Sequence, residues 1–71
     1  MFYVIEIQKN AQGQYAHLVT TDETQSGAES KYYTVLAAAA ISNLPLHTAA
    51  LLRDDGIALM SKSYRREANE T

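Results

Sequence analysis

SGAESKYYTVLAAAAIS, residues 26–42, is the stretch that decides the fold. Ser26 and Glu29 have the S-x-x-E spacing of a capping box, in which each side chain accepts a hydrogen bond from the other residue's backbone N–H. The four consecutive alanines are strong helix formers, and Pro45 follows as a stop signal. The sequence therefore predicts one helix over residues 27–42.

Segments rich in aromatic and β-branched residues flank this helix on both sides. Residues 2–9 and 15–21 predict a first hairpin, because turn-forming residues separate them. Residues 46–53 and the segment from Ile57 onwards predict a second hairpin. Its Asp55-Gly56 pair favours a two-residue type I′ turn, which needs positive φ at both central positions. The pattern predicts an α+β fold of order ββαββ, with a four-stranded antiparallel sheet and one helix packed on one face.

Two hairpins joined by a helix favour the sheet order 2-1-3-4, in which all neighbouring strands are antiparallel. The alternative is a parallel pairing of the first and fourth strands. We expect residues 1–66 to form a single domain, because 71 residues are too few for two cores. Residues 67–71 have no apolar pattern beyond Ala68, and we expect them to be disordered.

Composition excludes several classes of protein. The chain has no cysteine, so neither a disulfide nor a cysteine-based zinc site can stabilise a domain of this size. Its formal net charge of −2 argues against general nucleic-acid binding. The longest apolar run, residues 35–41, is too short to cross a bilayer, and no signal peptide is recognisable, so we expect a cytosolic protein.

Apolar side chains outnumber the positions that one helix can cover. Both alternating faces of the first and fourth strands are apolar, and the helix is apolar over much of its circumference. We therefore expect a symmetric homodimer that uses either the open sheet face or the alanine-rich side of the helix. The alternative is that the alanines are simply good helix formers that tolerate water. The candidate interface residues are Phe2, Val4, Tyr33, Ala37, Ala40, Ile41, Met60 and Tyr64.

The candidate catalytic residues lack the neighbouring groups that a catalytic or metal site requires. His17 and His47 have no HExxH context and no partner at helical spacing, which favours surface or hydrogen-bonded structural histidines over a metal site. Asp54 and Asp55 lie where a turn needs aspartate for backbone reasons. We expect no enzyme activity, no catalytic residue, no bound metal and no cofactor.

The chain has five tyrosines, which are good anchors in protein interfaces and also stacking platforms for bases. Because basic residues are not interleaved with them, the main hypothesis is a non-enzymatic protein-interaction or assembly module that acts as a homodimer. The alternative is a nucleic-acid-binding regulator that uses the cluster Lys62, Arg65 and Arg66.

The sequence also resembles short uncharacterised proteins of Gram-positive bacteria and their prophages. The similarity extends over nearly the whole chain. It is carried by MFYVIEI at residues 1–7, by AESKY at residues 28–32, and by the alanine run that leads to His47 and Asp55-Gly56. This resemblance transfers no functional motif, and it implies a phage-associated accessory role.

Overall fold

The computed structural model describes residues 1–66. Its elements, in chain order, are β1 (Phe2–Lys9), β2 (Tyr15–Asp22), α1 (Gln25–Ile41), β3 (Leu46–Leu52) and β4 (Ala58–Arg65). The strands form one antiparallel sheet of order β2-β1-β3-β4, and α1 packs on one of its faces. This confirms the predicted α+β fold and the favoured strand order. The predicted disordered tail, residues 67–71, lies outside the described residues.

The helix begins two residues earlier than predicted, because Thr24 and not Ser26 is its N-cap. The Thr24 hydroxyl accepts a hydrogen bond from the Gly27 N–H at 3.1 Å. Asp22 in turn holds Thr24, since its carboxylate accepts from the Thr24 N–H at 2.9 Å and from the hydroxyl at 3.0 Å. Both hydrogen bonds lower the pKa of Asp22, and the one from the Thr24 backbone N–H has the larger effect. A side chain at Gly27 would meet this carboxylate at 2.5 Å.

We expect Thr24→Ala to lower the free energy of unfolding by about 1 kcal/mol, because it removes the N-cap acceptor. Ser26→Ala is the matched control, since it removes a hydroxyl two residues away and should change stability by less than about 0.5 kcal/mol. Urea denaturation of the three proteins measures both values. A larger loss for Ser26→Ala than for Thr24→Ala would restore the predicted capping box.

Both hairpins use the same turn, and it differs from the predicted type I′ turn. The Gly13 N–H donates to the Asn10 carbonyl at 3.0 Å, and the Gly56 N–H donates to the Arg53 carbonyl at 2.9 Å. Gly13 and Gly56 have φ of 84° and 86°, while no other residue of the described chain has positive φ. One left-handed glycine after an i to i+3 hydrogen bond is the pattern of a type I turn with a G1 bulge. The prediction was wrong because Asp55 keeps negative φ.

The core lies between α1 and the two central strands, β1 and β3. Val4 and Leu51 are opposite each other in register and are almost completely buried against Tyr32 of the helix. The side of the helix that faces the sheet carries Tyr32 and Ala39, which are buried, and Val35 and Leu36, which are partly buried. Since side chains alternate along a strand, the burial of Val4 and Leu51 fixes which face of the sheet the helix covers.

Candidate interaction surfaces

The face of the sheet that is turned away from α1 carries an apolar strip on its central strands. Tyr3, Ile5 and Ile7 of β1 alternate with the buried side of that strand and are partly exposed. Ala50 and Leu52 of β3 lie opposite Ile5 and Tyr3 in register. We call the side chains of Tyr3, Ile5, Ile7, Val19, Ala50 and Leu52 the open sheet face.

Polar side chains border the open sheet face on the β4 side. Ser61 lies opposite Ala50 and Ser63 lies opposite Thr48, so both share the face with the apolar strip. The Thr48 and Ser63 hydroxyls are 2.5 Å apart. On the other side, Val19 of β2 lies opposite Ile5 and is 48% exposed. The apolar strip therefore continues onto β2 through Val19, and it ends at the hydroxyl groups of β4.

The structure corrects the strand residues that the sequence placed at the interface. Val4 is 1% exposed, and Phe2 and Met60 pack against the same core. The helix covers this side of the sheet, so the exposed side of β1 is the Tyr3, Ile5 and Ile7 side. Hydrophobicity does not identify the buried face, because both faces carry large apolar residues and the face under the helix also includes Glu6 and Gln8.

Tyr64 also lies on the helix side of the sheet, opposite the buried His47. Its ring is occupied by cations: the Lys62 ammonium is 5.5 Å from the ring centroid, and the Arg66 guanidinium is 5.1 Å from it. These contacts are of the cation–π type. Tyr64 is therefore a partly buried residue in an intramolecular cluster.

The helix residues of the predicted interface lie at the surface. Tyr33 is 54% exposed, Ile41 is 88% exposed, and Ala37 and Ala40 are exposed. The Tyr33 ring packs edge-on against the ring of the buried Tyr32, with 5.3 Å between the centroids. Burial raises the pKa of Tyr32. The Tyr33 hydroxyl lies 3.7 Å from Met60 Sδ of β4, so Tyr33 lies on the flank of α1 next to the sheet, and Ala37 and Ile41 lie on its outer side.

Of the three basic residues proposed for nucleic-acid binding, Lys62 and Arg66 lie together at the Tyr64 ring, and Arg65 lies apart from them. Lys62 lies opposite Ala49 on the helix side, whereas Arg65 lies opposite Leu46 on the other side. The Arg66 guanidinium donates to the carbonyl oxygens of Ala39 at 2.7 Å and Ala40 at 3.2 Å. Arg66 therefore supplies hydrogen-bond donors to the C-terminal end of α1, where unpaired carbonyls and the helix dipole favour a cation.

A buried polar cluster under the end of the helix was not foreseen from the sequence. His47 is 3% exposed, and its Nε2 lies 2.6 Å from Glu6 Oε2 while its Nδ1 lies 3.0 Å from Ser42 Oγ. Gln8 also donates to the same Glu6 oxygen at 3.0 Å. The cluster connects β1, β3 and the residue that ends α1. The expectation of a hydrogen-bonded structural histidine is confirmed for His47.

His17 and His47 are separated by the sheet, so they cannot share a metal or a proton. His17 lies opposite Ile7 on the open side, and His47 lies opposite Gln8 on the helix side. Within residues 1–66, no three histidine or carboxylate side chains are grouped closely enough to hold a metal ion.

Comparison with known proteins adds no relative. No protein-family model matches the chain, and searches of curated proteins and of solved structures find no similar protein. In the part of the chain that the structure describes, no helix has the length and apolarity needed to cross a membrane.

Proposed function

We propose that this protein is a small protein-interaction module without catalytic function that acts as a homodimer in the cytoplasm. The observation that carries the proposal is the open sheet face. Its partly exposed tyrosine, isoleucine and leucine side chains form a contiguous strip on the two central strands of the sheet. Contiguous exposed apolar patches mark sites where another protein binds.

The small core supports a permanent association. Among the described residues, the buried apolar side chains are Val4, Ala28, Tyr32, Ala39, Leu46, Ala49 and Leu51, and three of these are alanines. Domains of this size obtain little net stability from one core and commonly add a disulfide, a metal or a second subunit. This chain has no cysteine. A second subunit is therefore the stabilising contribution that fits its composition.

Two measurements on the full chain test the proposal. In sedimentation velocity, we expect the protein to sediment at twice the chain mass over the micromolar range. We also expect a photo-crosslinking residue at Ile7 to give a discrete protein adduct in the source cells. The matched control position is Ser63, on the same face but on the polar side, which should give none. A monomer at all concentrations would refute the homodimer, and equal labelling from both positions would refute the partner site.

The alternative nucleic-acid function has less support, because only Lys62 and Arg66 lie together at the Tyr64 ring, whereas Arg65 lies on the other face of the sheet. If the fluorescence anisotropy of short labelled single-stranded oligonucleotides increases when the protein is added, and the increase weakens with salt, the nucleic-acid function would be supported.

A further inference from the structure

We propose that the homodimer forms by antiparallel pairing of β2 with β2 of a second copy, about a two-fold axis at Leu18. This inference rests on the proposed homodimer and identifies its interface. The product is one eight-stranded sheet with both helices on the same side. The argument begins with the two edges of the sheet.

The two edge strands, β2 and β4, differ in how they are protected. β4 has a register shift opposite Leu51 and Leu52, and it carries Lys62 and Arg65. Bulges and cationic side chains are the devices that discourage an edge from pairing with another chain. β2 has neither a bulge nor a cationic residue within residues 15–21, which read YAHLVTT, without lysine, arginine, aspartate, glutamate or proline. Its eight-residue register with β1 is uninterrupted. One cation reaches the end of β2 from the helix, where the Lys31 ammonium donates to the Thr21 carbonyl at 2.7 Å.

β2 is also exposed on both of its faces. Tyr15 is 66% exposed, Leu18 is 58% exposed and Val19 is 48% exposed. Leu18 lies opposite Glu6 on the helix side, whereas Tyr15 and Val19 lie on the open side. Apolar residues on both faces are typical of strands whose two faces are covered, whereas the large side chains of β2 are exposed on both. The side chains of a strand added at this edge would cover part of both faces.

The helix contacts one end of β2, where Lys31 lies 3.4 Å from the Asp22 carboxylate, and leaves Ala16 and Leu18 of its inner face exposed. An open depression of about 300 Å³ lies between the strand and α1, lined by Thr20, Ser30, Lys31, Thr34 and Val35. A second one of about 230 Å³ lies over Glu6, Gln8 and Leu18. Pairing across Leu18 places these depressions of the two subunits side by side, between the two helices. The Leu18 side chains of both subunits then cover each other.

The occupant is a second copy because the strand is complementary to itself. Leu18 is the middle residue of the uncharged run, so a two-fold axis there aligns all seven residues with the same run of the partner. Pairing at the Thr21 end requires the Lys31 ammonium to leave the Thr21 carbonyl. Ala16 then faces Thr20, His17 faces Val19 and Tyr15 faces Thr21. Asp22 faces Gln14, so no like charges are opposed. The two open sheet faces also meet across this seam, where Val19 of each subunit lies opposite His17 of the other, and together they form the surface that the proposed partner protein binds.

Charge reversal at Leu18 tests the two-fold axis. We expect Leu18→Lys and Leu18→Glu to raise the dissociation constant of the dimer on the order of 100-fold each, because like charges would meet at the axis. An equimolar mixture of the two variants should recover the dimer mass in sedimentation velocity, since the opposite charges then face each other. Ile41→Lys, which adds the same charge at an exposed helix position, should leave the wild-type dimer unchanged.

Single cysteines test the register without a charge, and the chain contains no other cysteine. In the paired sheet, Leu18→Cys places its sulfur opposite its own copy at disulfide distance and should give a covalent dimer on mild oxidation. Thr20→Cys should not, because it faces Ala16 of the partner.

The outcomes separate this inference from the homodimer itself. If the wild-type protein is a monomer, both the homodimer and the β2 interface are refuted. A wild-type dimer that persists in Leu18→Lys, or a Thr20→Cys chain that cross-links as well as Leu18→Cys, keeps the homodimer and refutes the β2 interface. Loss of the dimer in Ile41→Lys but not in Leu18→Lys would assign the interface to the outer side of α1.

Discussion

Replacing Leu51 with alanine is expected to lower the free energy of unfolding by about 3 kcal/mol, within the range of roughly 2–5 kcal/mol for buried leucines. Leu51 is completely buried and, with Val4, is one of the two largest fully buried side chains. Its removal leaves a cavity beneath Tyr32, in a core where neighbouring Ala28 and Ala49 have no flexible side chain with which to fill it. Because small domains have only a few kcal/mol of stability, the variant should be partly unfolded at room temperature.

Urea denaturation followed by circular dichroism measures this loss. All samples need the same protein concentration, because association makes the apparent stability depend on it. Leu59→Ala is the matched control, since Leu59 is 39% exposed and the chemical change is identical. A cost for Leu59→Ala equal to that for Leu51→Ala would mean that the core is not where the structure places it.

The second large effect is expected at His47, where substitution by alanine should cost about 2–3 kcal/mol. The imidazole lies between Glu6 and Ser42, and its removal leaves both without that partner beneath the helix end. Glu6 retains the hydrogen bond from Gln8 and its side chain is 19% exposed, so water can offset part of the loss. This places the value below that of a fully buried ion pair.

A double-mutant cycle separates the contact from the general effect of truncation. Glu6→Ala with His47→Ala should cost less than the sum of the single variants, by about 1 kcal/mol or more. His17→Ala is the control on the other side of the sheet, where the histidine is exposed, and should change stability by less than about 0.5 kcal/mol. Strict additivity between Glu6 and His47 would show that their contact contributes nothing to folding.

Local sequence signals were sufficient for the elements of this fold. The alanine-rich helix, the turn glycines and the alternating strands are each encoded within a few neighbouring residues, so their order and the strand arrangement could be predicted. The helix start was misplaced because two overlapping cap signals compete, and Asp22 decides between them by holding Thr24. The turn type was misassigned because an Asp-Gly pair occurs in both types of turn. In a type I′ turn Asp55 and Gly56 would be the two central residues, whereas here Asp54 and Asp55 are central and Gly56 is the left-handed residue that follows them.

The choice of sheet face could not be made from the sequence. By hydrophobicity, Tyr3, Ile5 and Ile7 are the better core residues of β1, yet they lie on the open side. The residues on the opposite face of β1, which the helix covers, include Glu6. Glu6 is tolerated there because His47 lies within hydrogen-bond distance of its carboxylate. These two residues are 41 positions apart, and no local pattern joins them. Predicting which side of β1 is exposed, and therefore where the candidate site lies, requires knowledge of this long-range contact.

The strand order has a consequence for how the chain folds. Each hairpin is continuous in sequence, and so is the helix, which means that these three units can form from neighbouring residues. The β1–β3 ladder alone joins the two halves of the sheet, from Tyr3 opposite Leu52 to Lys9 opposite Leu46. The chain must therefore close one long loop that contains the whole helix, and the entropy lost in that closure is concentrated at a single seam.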